Sequence, residues 1–325
     1  MAKALILISL LAAGAYAQQT AVVVQKRDNS VGFYDALTGA ARGTAPVGTK
    51  PHEMALSPDR RLAYVTNYGV DSYTETAEGG RSLSIVDLVR RQTIGEIDLG
   101  RFRRPHGIER GRSGLLYVTV DSPPSLLVID PIKRAVVRSI DVGQALPHMV
   151  AVTHDERKAY TANAGAGTLT VIALGQGKAV KHIEIGGVPM GLALARDGRR
   201  LLAANRTGNA VVVIDTAKDE VVSQIDIPGQ PARVAFTPDG KHLIVTLIEA
   251  GDVAIVETAT LRVINRFRAG ASAEGVGVDP QGRFSYVSAQ GDNKVIKYST
   301  RDWRPVLEIK TGARPDPIEI IETRR

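Results

Sequence analysis

Three of the chain's six histidines are spaced to act together. His52, His106 and His148 each follow a proline and precede an apolar run, at separations of 54 and 42 residues. Further steps of 42 from His148 reach Met190, Ala232, Glu274 and Asp316. Imidazole and carboxylate are the ligand types that Zn, Cu, Fe and Mn sites use, and three histidines with one or two acids suffice for one divalent ion. With an open position, such an ion could polarise a carbonyl or activate water, and Glu274 or Asp316 would serve as general base. Met190 would favour copper if it joined, although lining apolar space is the commoner role of a thioether. The competing reading is structural: Pro-His can form a turn whose imidazole bonds backbone or water. His154, His182 and His242 fall in turns or outer positions and read as solvated surface.

The elements that would position this series repeat with it. The turns after the first apolar runs place Asp155, Asp197, Asp239 and Gln281 at intervals of 42, while Asp59 to Ser113 is 54 and Ser113 to Asp155 is 42. Each unit holds four runs rich in Val, Ile, Leu and Thr, separated by Gly, Asp, Asn or Pro, which read as strands. Four strands in about 42 residues make one propeller blade. Residues 21–24, 31–35 and 43–47 look like second, third and fourth strands lacking a first, and residues 317–321 look like a first strand with no successor. The expected fold is therefore all-β: a seven-bladed β-propeller of four-stranded antiparallel blades, closed by pairing the C-terminal strand with the N-terminal strands. No Pro/Gly/Ser-rich linker divides residues 18–325, so a single domain is expected there.

Tyr64-Val65-Thr66-Asn67 after Ser57-Pro58-Asp59, and Thr237-Pro238-Asp239-Gly240-Lys241 later, resemble the YVTN-repeat β-propeller family of exported bacterial proteins. The resemblance covers essentially the whole chain after residue 17. Six-phosphogluconolactonase and streptogramin lyase propellers share the architecture, but too little of either pattern is present to transfer their active residues. These motifs are turn and strand chemistry, so the resemblance implies a fold, and function must come from the site.

Lys3, the apolar run Ala4 to Ala15 and the small-x-small triplet ending at Ala17 read as a signal peptide over residues 1–17, implying a periplasmic or secreted protein. The run is too short for a transmembrane span. There is no cysteine, which excludes disulfides, thiolate metal sites, a cysteine nucleophile and a lipoprotein anchor. The formal charge of +7 could favour acidic partners, but many of its cations sit in scattered turns, such as Arg60-Arg61, Arg157-Lys158 and Arg199-Arg200.

Inner strands line a propeller's channel, so the histidine series should gather at one mouth. The loop Tyr68 to Gly80 and the enlarged entrance loop with Phe102, Arg103 and Arg104 open on the same face and should overhang His52 and His106. Lys50, Arg103, Arg104 and Arg314 would attract an anion, and Tyr68 and Phe102 would stack on a flat ligand. The leading expectation is an exported, monomeric binding or interaction propeller that takes a small molecule, an anion or one divalent transition metal at this mouth. A metal-assisted lactonase-like hydrolase or a lyase using the same residues is the first alternative. Protein, polysaccharide or nucleic-acid binding over a broad face is the second, with nucleic acid least favoured.

Overall fold

The computed structural model describes residues 18–323. Among them, 28 strands form seven four-stranded antiparallel sheets, giving the seven-bladed ring that the repeat implies. In ring order the inner strands are Pro51–Leu56, Arg103–Arg110, Pro147–Val152, Pro189–Leu194, Pro231–Phe236, Ala273–Val278 and Pro315–Thr323. The blades are numbered one to seven in that order. Blade seven joins both ends of the chain: Pro315–Thr323 pairs antiparallel with Gln18–Gln25, which continues to Ser30–Asp35 and Ala41–Pro46. The ring thus closes without an inner strand left unpaired. The signal-peptide reading concerns residues 1–17, which lie outside the described residues. Among the described residues, no helix is long and apolar enough to cross a membrane.

Burial follows strand position. Pro51–Leu56 is buried throughout, whereas the outer strand Ala135–Asp141 is mostly open to solvent. The core consists of apolar layers between blades, such as Leu83, Ile85 and Leu99 packed with Val118, Val120 and Leu127. Each such side chain contributes about 1.5–3 kcal/mol on burial. The acids ending the third strands have a turn role: Asp87 and Asp130 each accept two backbone N–H bonds from the following turn.

One irregularity repeats and matters for the site. In blade one Pro51 faces Asn67 and Met54 faces Val65, so His52 and Glu53 together oppose the single residue Thr66. The same bulge occurs in the inner strands of blades two to six. Two residues against one bends the strand and re-aims its side chains. The bulge falls at the register of the histidine series in every one of these blades.

Candidate metal centre at the channel mouth

The bulges bring the histidines together. His52, His106 and His148 form a stack with ring centroids 4.1 and 3.7 Å apart. All three are between 2 and 6 % exposed, and each has a buried Nδ1 with no hydrogen-bond partner. The threonine of the Tyr-Val-Thr-Asn strand positions them. Thr66 Oγ1 accepts the Glu53 N–H at 2.9 Å and donates to the His106 carbonyl on the next blade, also at 2.9 Å. Thr119 does the same between the Gly107 N–H, at 2.8 Å, and the His148 carbonyl, at 2.6 Å. A strand motif that reads as pure architecture thus fixes the backbone of two site residues.

The acids are arranged differently from the sequence expectation. His52, Glu53 and His106 offer ligand atoms that all lie within 4.8 Å of one another. Asp316 Oδ2 is 3.6 Å from His52 Nδ1 but is salt-bridged to buried Lys26 at 3.0 Å, which ties up the group expected as a base. Glu274 is buried and its charge is felt by Arg233 and Glu53. Arg233, from blade five, reaches across the channel to form an ion pair with Glu53 and lies 3.9 Å from Asp316. Met190 and Ala232 are buried and complete the series.

Glu53, Arg233 and Lys26 are absent from the sequence-based site. Glu53 and Arg233 occupy the position one past the histidine register, a series otherwise made of Gly107, Met149, Gly191, Gly275 and Pro317. Two opposite charges among small and apolar residues were the available signal. An ordinary strand would turn that position to the opposite face, and the bulge removes this distinction.

Burial is the largest cause holding all three imidazoles well below their ordinary range, reinforced by the charges of Lys26 and Arg233. They are therefore neutral at physiological pH, the form that binds a metal. Burial pushes the Glu53 carboxyl up to about 7; Arg233 opposes the shift, and Asp316 and Glu274 add to it. A buried imidazole that resists charging costs stability once the unfolded chain takes up protons. Relative to His106→Gln, the wild type is therefore expected to lose stability as pH falls below about 6.5, by about 1.4 kcal/mol per pH unit until the folded-state value is reached. Urea unfolding of both proteins at stepped pH checks this, and parallel curves would contradict it.

The loop from Tyr68 to Gly80 closes the mouth. A Cβ on Gly80 would sit 1.9 Å from the Asn67 carbonyl oxygen, so glycine is required where the two legs of the loop meet. Tyr68 stands edge-on to His52 and His106, with centroids at 5.2 and 5.0 Å, and Tyr73 stands edge-on to His148 at 6.4 Å. Arg104 is the clamp. It donates to the Tyr68 hydroxyl at 3.0 Å and to the carbonyls of Ser72, Tyr73 and Glu75, and its Nε lies 3.1 Å from Asp121. Tyr68 in turn donates to Asp121 at 2.7 Å, and burial lifts the Asp121 carboxyl to about 6.

The anion-attracting mouth is largely neutralised by the loop's own acids. Asp71 meets Lys50 at 3.0 Å and both Arg27 and Arg314 at 3.9 Å, while Glu78 meets Arg103 at 2.7 Å. Phe102, expected to stack on a ligand, packs instead in the apolar layer between blades one and two. Arg104→Ala is expected to ease loop opening by about 2–3 kcal/mol. Limited proteolysis should then cut between residues 69 and 79 at least about tenfold faster while the blades resist; an unchanged rate would contradict the clamp.

The fold and site together define a seven-bladed propeller with a buried histidine cluster beneath a loop at one channel mouth. Within that class the chain belongs to the Cytochrome D1 heme domain family, whose description matches residues 110–323. The match includes His148, Arg233, Glu274 and Asp316 but begins after His52, His106 and the closing loop. No curated protein matches the chain. Among solved structures it is similar to hydrazine synthase of Kuenenia stuttgartiensis, at 23 % identity and TM-score 0.75 over 86 % of this chain and 92 % of that one. It also resembles the dihydro-heme d1 dehydrogenase NirN, at 17 % identity and TM-score 0.70 over 97 % and 78 %. The periplasmic gluconolactonase of Pseudomonas aeruginosa aligns at 15 % identity and TM-score 0.74 over 93 % and 99 %. At these identities the likeness is one of fold.

Proposed function

We propose that this protein is an exported binding propeller that holds one divalent transition-metal ion at the closed channel mouth. His52, His106 and His148 would be its ligands, with Glu53 beside them. The observation that carries the reading is the set of three buried, neutral imidazoles whose Nδ1 atoms have no hydrogen-bond partner among the described residues. Unsatisfied polar atoms this deeply buried are rare and costly, and an ion would satisfy several at once. Ligand atoms around one ion lie about 3.3 Å apart at metal–nitrogen bonds near 2.0–2.1 Å. Small ring rotations would draw in the His52, Glu53 and His106 atoms, which already lie within 4.8 Å.

The family description raises haem as the alternative occupant, and the closed arrangement does not fit it. A macrocycle needs a flat slot with about 3.5 Å of clearance on each side. Here the imidazoles touch one another, and Tyr68 stands with its ring centroid only 5.0–5.2 Å from two of them. Purified protein equilibrated with Zn²⁺ or Cu²⁺ and then dialysed should retain one ion per chain. Retention of none, with uptake of haem and a Soret band instead, would overturn the metal reading.

A hydrolytic role is the second reading, favoured by one observation: a carboxyl lifted to about 7 stands beside two imidazoles. That poise suits a general base once the Glu53–Arg233 ion pair opens, and Glu53 then joins Glu274 and Asp316 as a candidate for that part. Turnover of simple lactones that disappears in Glu53→Gln would support it, and turnover indifferent to that change would dismiss it.

A further inference from the structure

On the face opposite the histidine cluster, a second series of equivalent residues plugs the grooves between blades. At one register of the second strands stand Tyr64, Tyr117, Tyr160, Leu202, Ile244 and Tyr286, each facing the inner strand at Ala55, Glu109, Ala151, Ala193, Ala235 and Gly277. Tyr160 shows how the plug works. Its ring is fully buried between blades three and four, and its hydroxyl donates to Asp219 and faces the Thr216 carbonyl at 3.3 Å. Lys158 bonds the same carbonyl at 2.9 Å.

One blade further on, the plug is missing. Leu202 replaces Tyr160, Leu261 replaces Asp219, Arg200 replaces Lys158 and Thr258 replaces Thr216, each a step of 42. In the following groove an aromatic ring stands at this register, because Trp303 occupies the Leu261 place and packs with Ile244. Only between blades four and five do both positions carry leucine, and there a cavity of about 530 Å³ opens. Its lining mixes Leu202, Phe236 and Leu261 with Arg200, Thr258, His242 and the acids Asp239 and Glu257. The Thr258 carbonyl has the same place in the repeat as the one that faces the Tyr160 hydroxyl, and it receives only a 3.4 Å contact from Arg200.

We infer that this cavity is a binding site for a small phenol, whose ring takes the place of the absent tyrosine and whose hydroxyl donates to the Thr258 carbonyl. The chemistry is set by the Tyr160 groove, an aromatic ring packed on aliphatic side chains with its hydroxyl 3.3 Å from a backbone carbonyl; Tyr117 instead donates to Glu156, and the Tyr286 hydroxyl has no partner among the described residues. The site is independent of the histidine cluster and lies on the other face of the ring.

Calorimetric titration with p-cresol tests the assignment, with p-methylanisole as the probe lacking the donor. Trp303, the single tryptophan, stands in the next groove and faces the cavity-lining His242 with ring centroids 5.5 Å apart, giving an optical readout beside the site. Saturable one-site binding of p-cresol is expected, roughly tenfold weaker for p-methylanisole. Leu202→Tyr rebuilds the plug and should abolish binding while melting no lower than wild type; if it fails to fold, Leu261→Trp, which copies the Trp303 solution of the next groove, fills the same space. No saturable binding by the wild type, or undiminished binding by a folded plugged variant, would overturn the inference. Equal affinity for both probes would overturn the hydroxyl's role and with it the phenol assignment.

Discussion

Arg233→Ala is expected to destabilise the protein by about 3–5 kcal/mol, the scale for stripping one partner from a buried ion pair. Arg233 is the cation that crosses the channel to Glu53 and also approaches Asp316, and all three side chains are nearly or fully buried. Without it, Lys26 alone remains among three buried acids, Glu53, Asp316 and Glu274. Glu53 is already lifted to about 7, so it should take up a proton and limit the damage. Adding Glu53→Gln should therefore recover part of the loss. Urea denaturation of the two single variants and the double variant measures the coupling. A loss below about 1 kcal/mol for Arg233→Ala, the range of an exposed pair, would contradict the reading.

The second large effect is on metal affinity. His106 is the middle ring of the stack and touches both neighbours. His106→Ala is expected to weaken Zn²⁺ or Cu²⁺ binding by about 100-fold or more, because even partners that only orient a ligand are worth 10–100-fold. Met190→Leu, at the same register on blade four, keeps the volume and should leave affinity unchanged. Competition titration against a chelator separates the two outcomes. Equal loss in both variants would mean that channel packing, and not the imidazole, controls uptake.

The ring and its closure were legible because a propeller repeats its chemistry at a fixed interval, and residues 317–321 read as a first strand with no blade of their own. The convergence of His52, His106 and His148 was legible for the same reason. Glu53 and Arg233 were not, since a bulge depends on pairing register, and alternation along a strand assigns them to the wrong face. The cations at the mouth were legible as charges but not as clamps. Only the folded loop shows Asp71, Glu78 and Asp121 already meeting Lys50, Arg103, Arg104 and Arg314. Phe102 was misplaced because an aromatic residue in a long loop reads as exposed until the apolar layer behind it is seen.

X-ray absorption at the zinc or copper edge of the loaded protein tests the central claim most directly. The account expects an inner shell dominated by nitrogen at about 2.0–2.1 Å with the outer-shell scattering of two or three imidazoles. That signature should weaken in His52→Ala and His148→Ala. A shell of oxygen alone, unchanged by those substitutions, would place the ion elsewhere and return the histidine stack to a structural role.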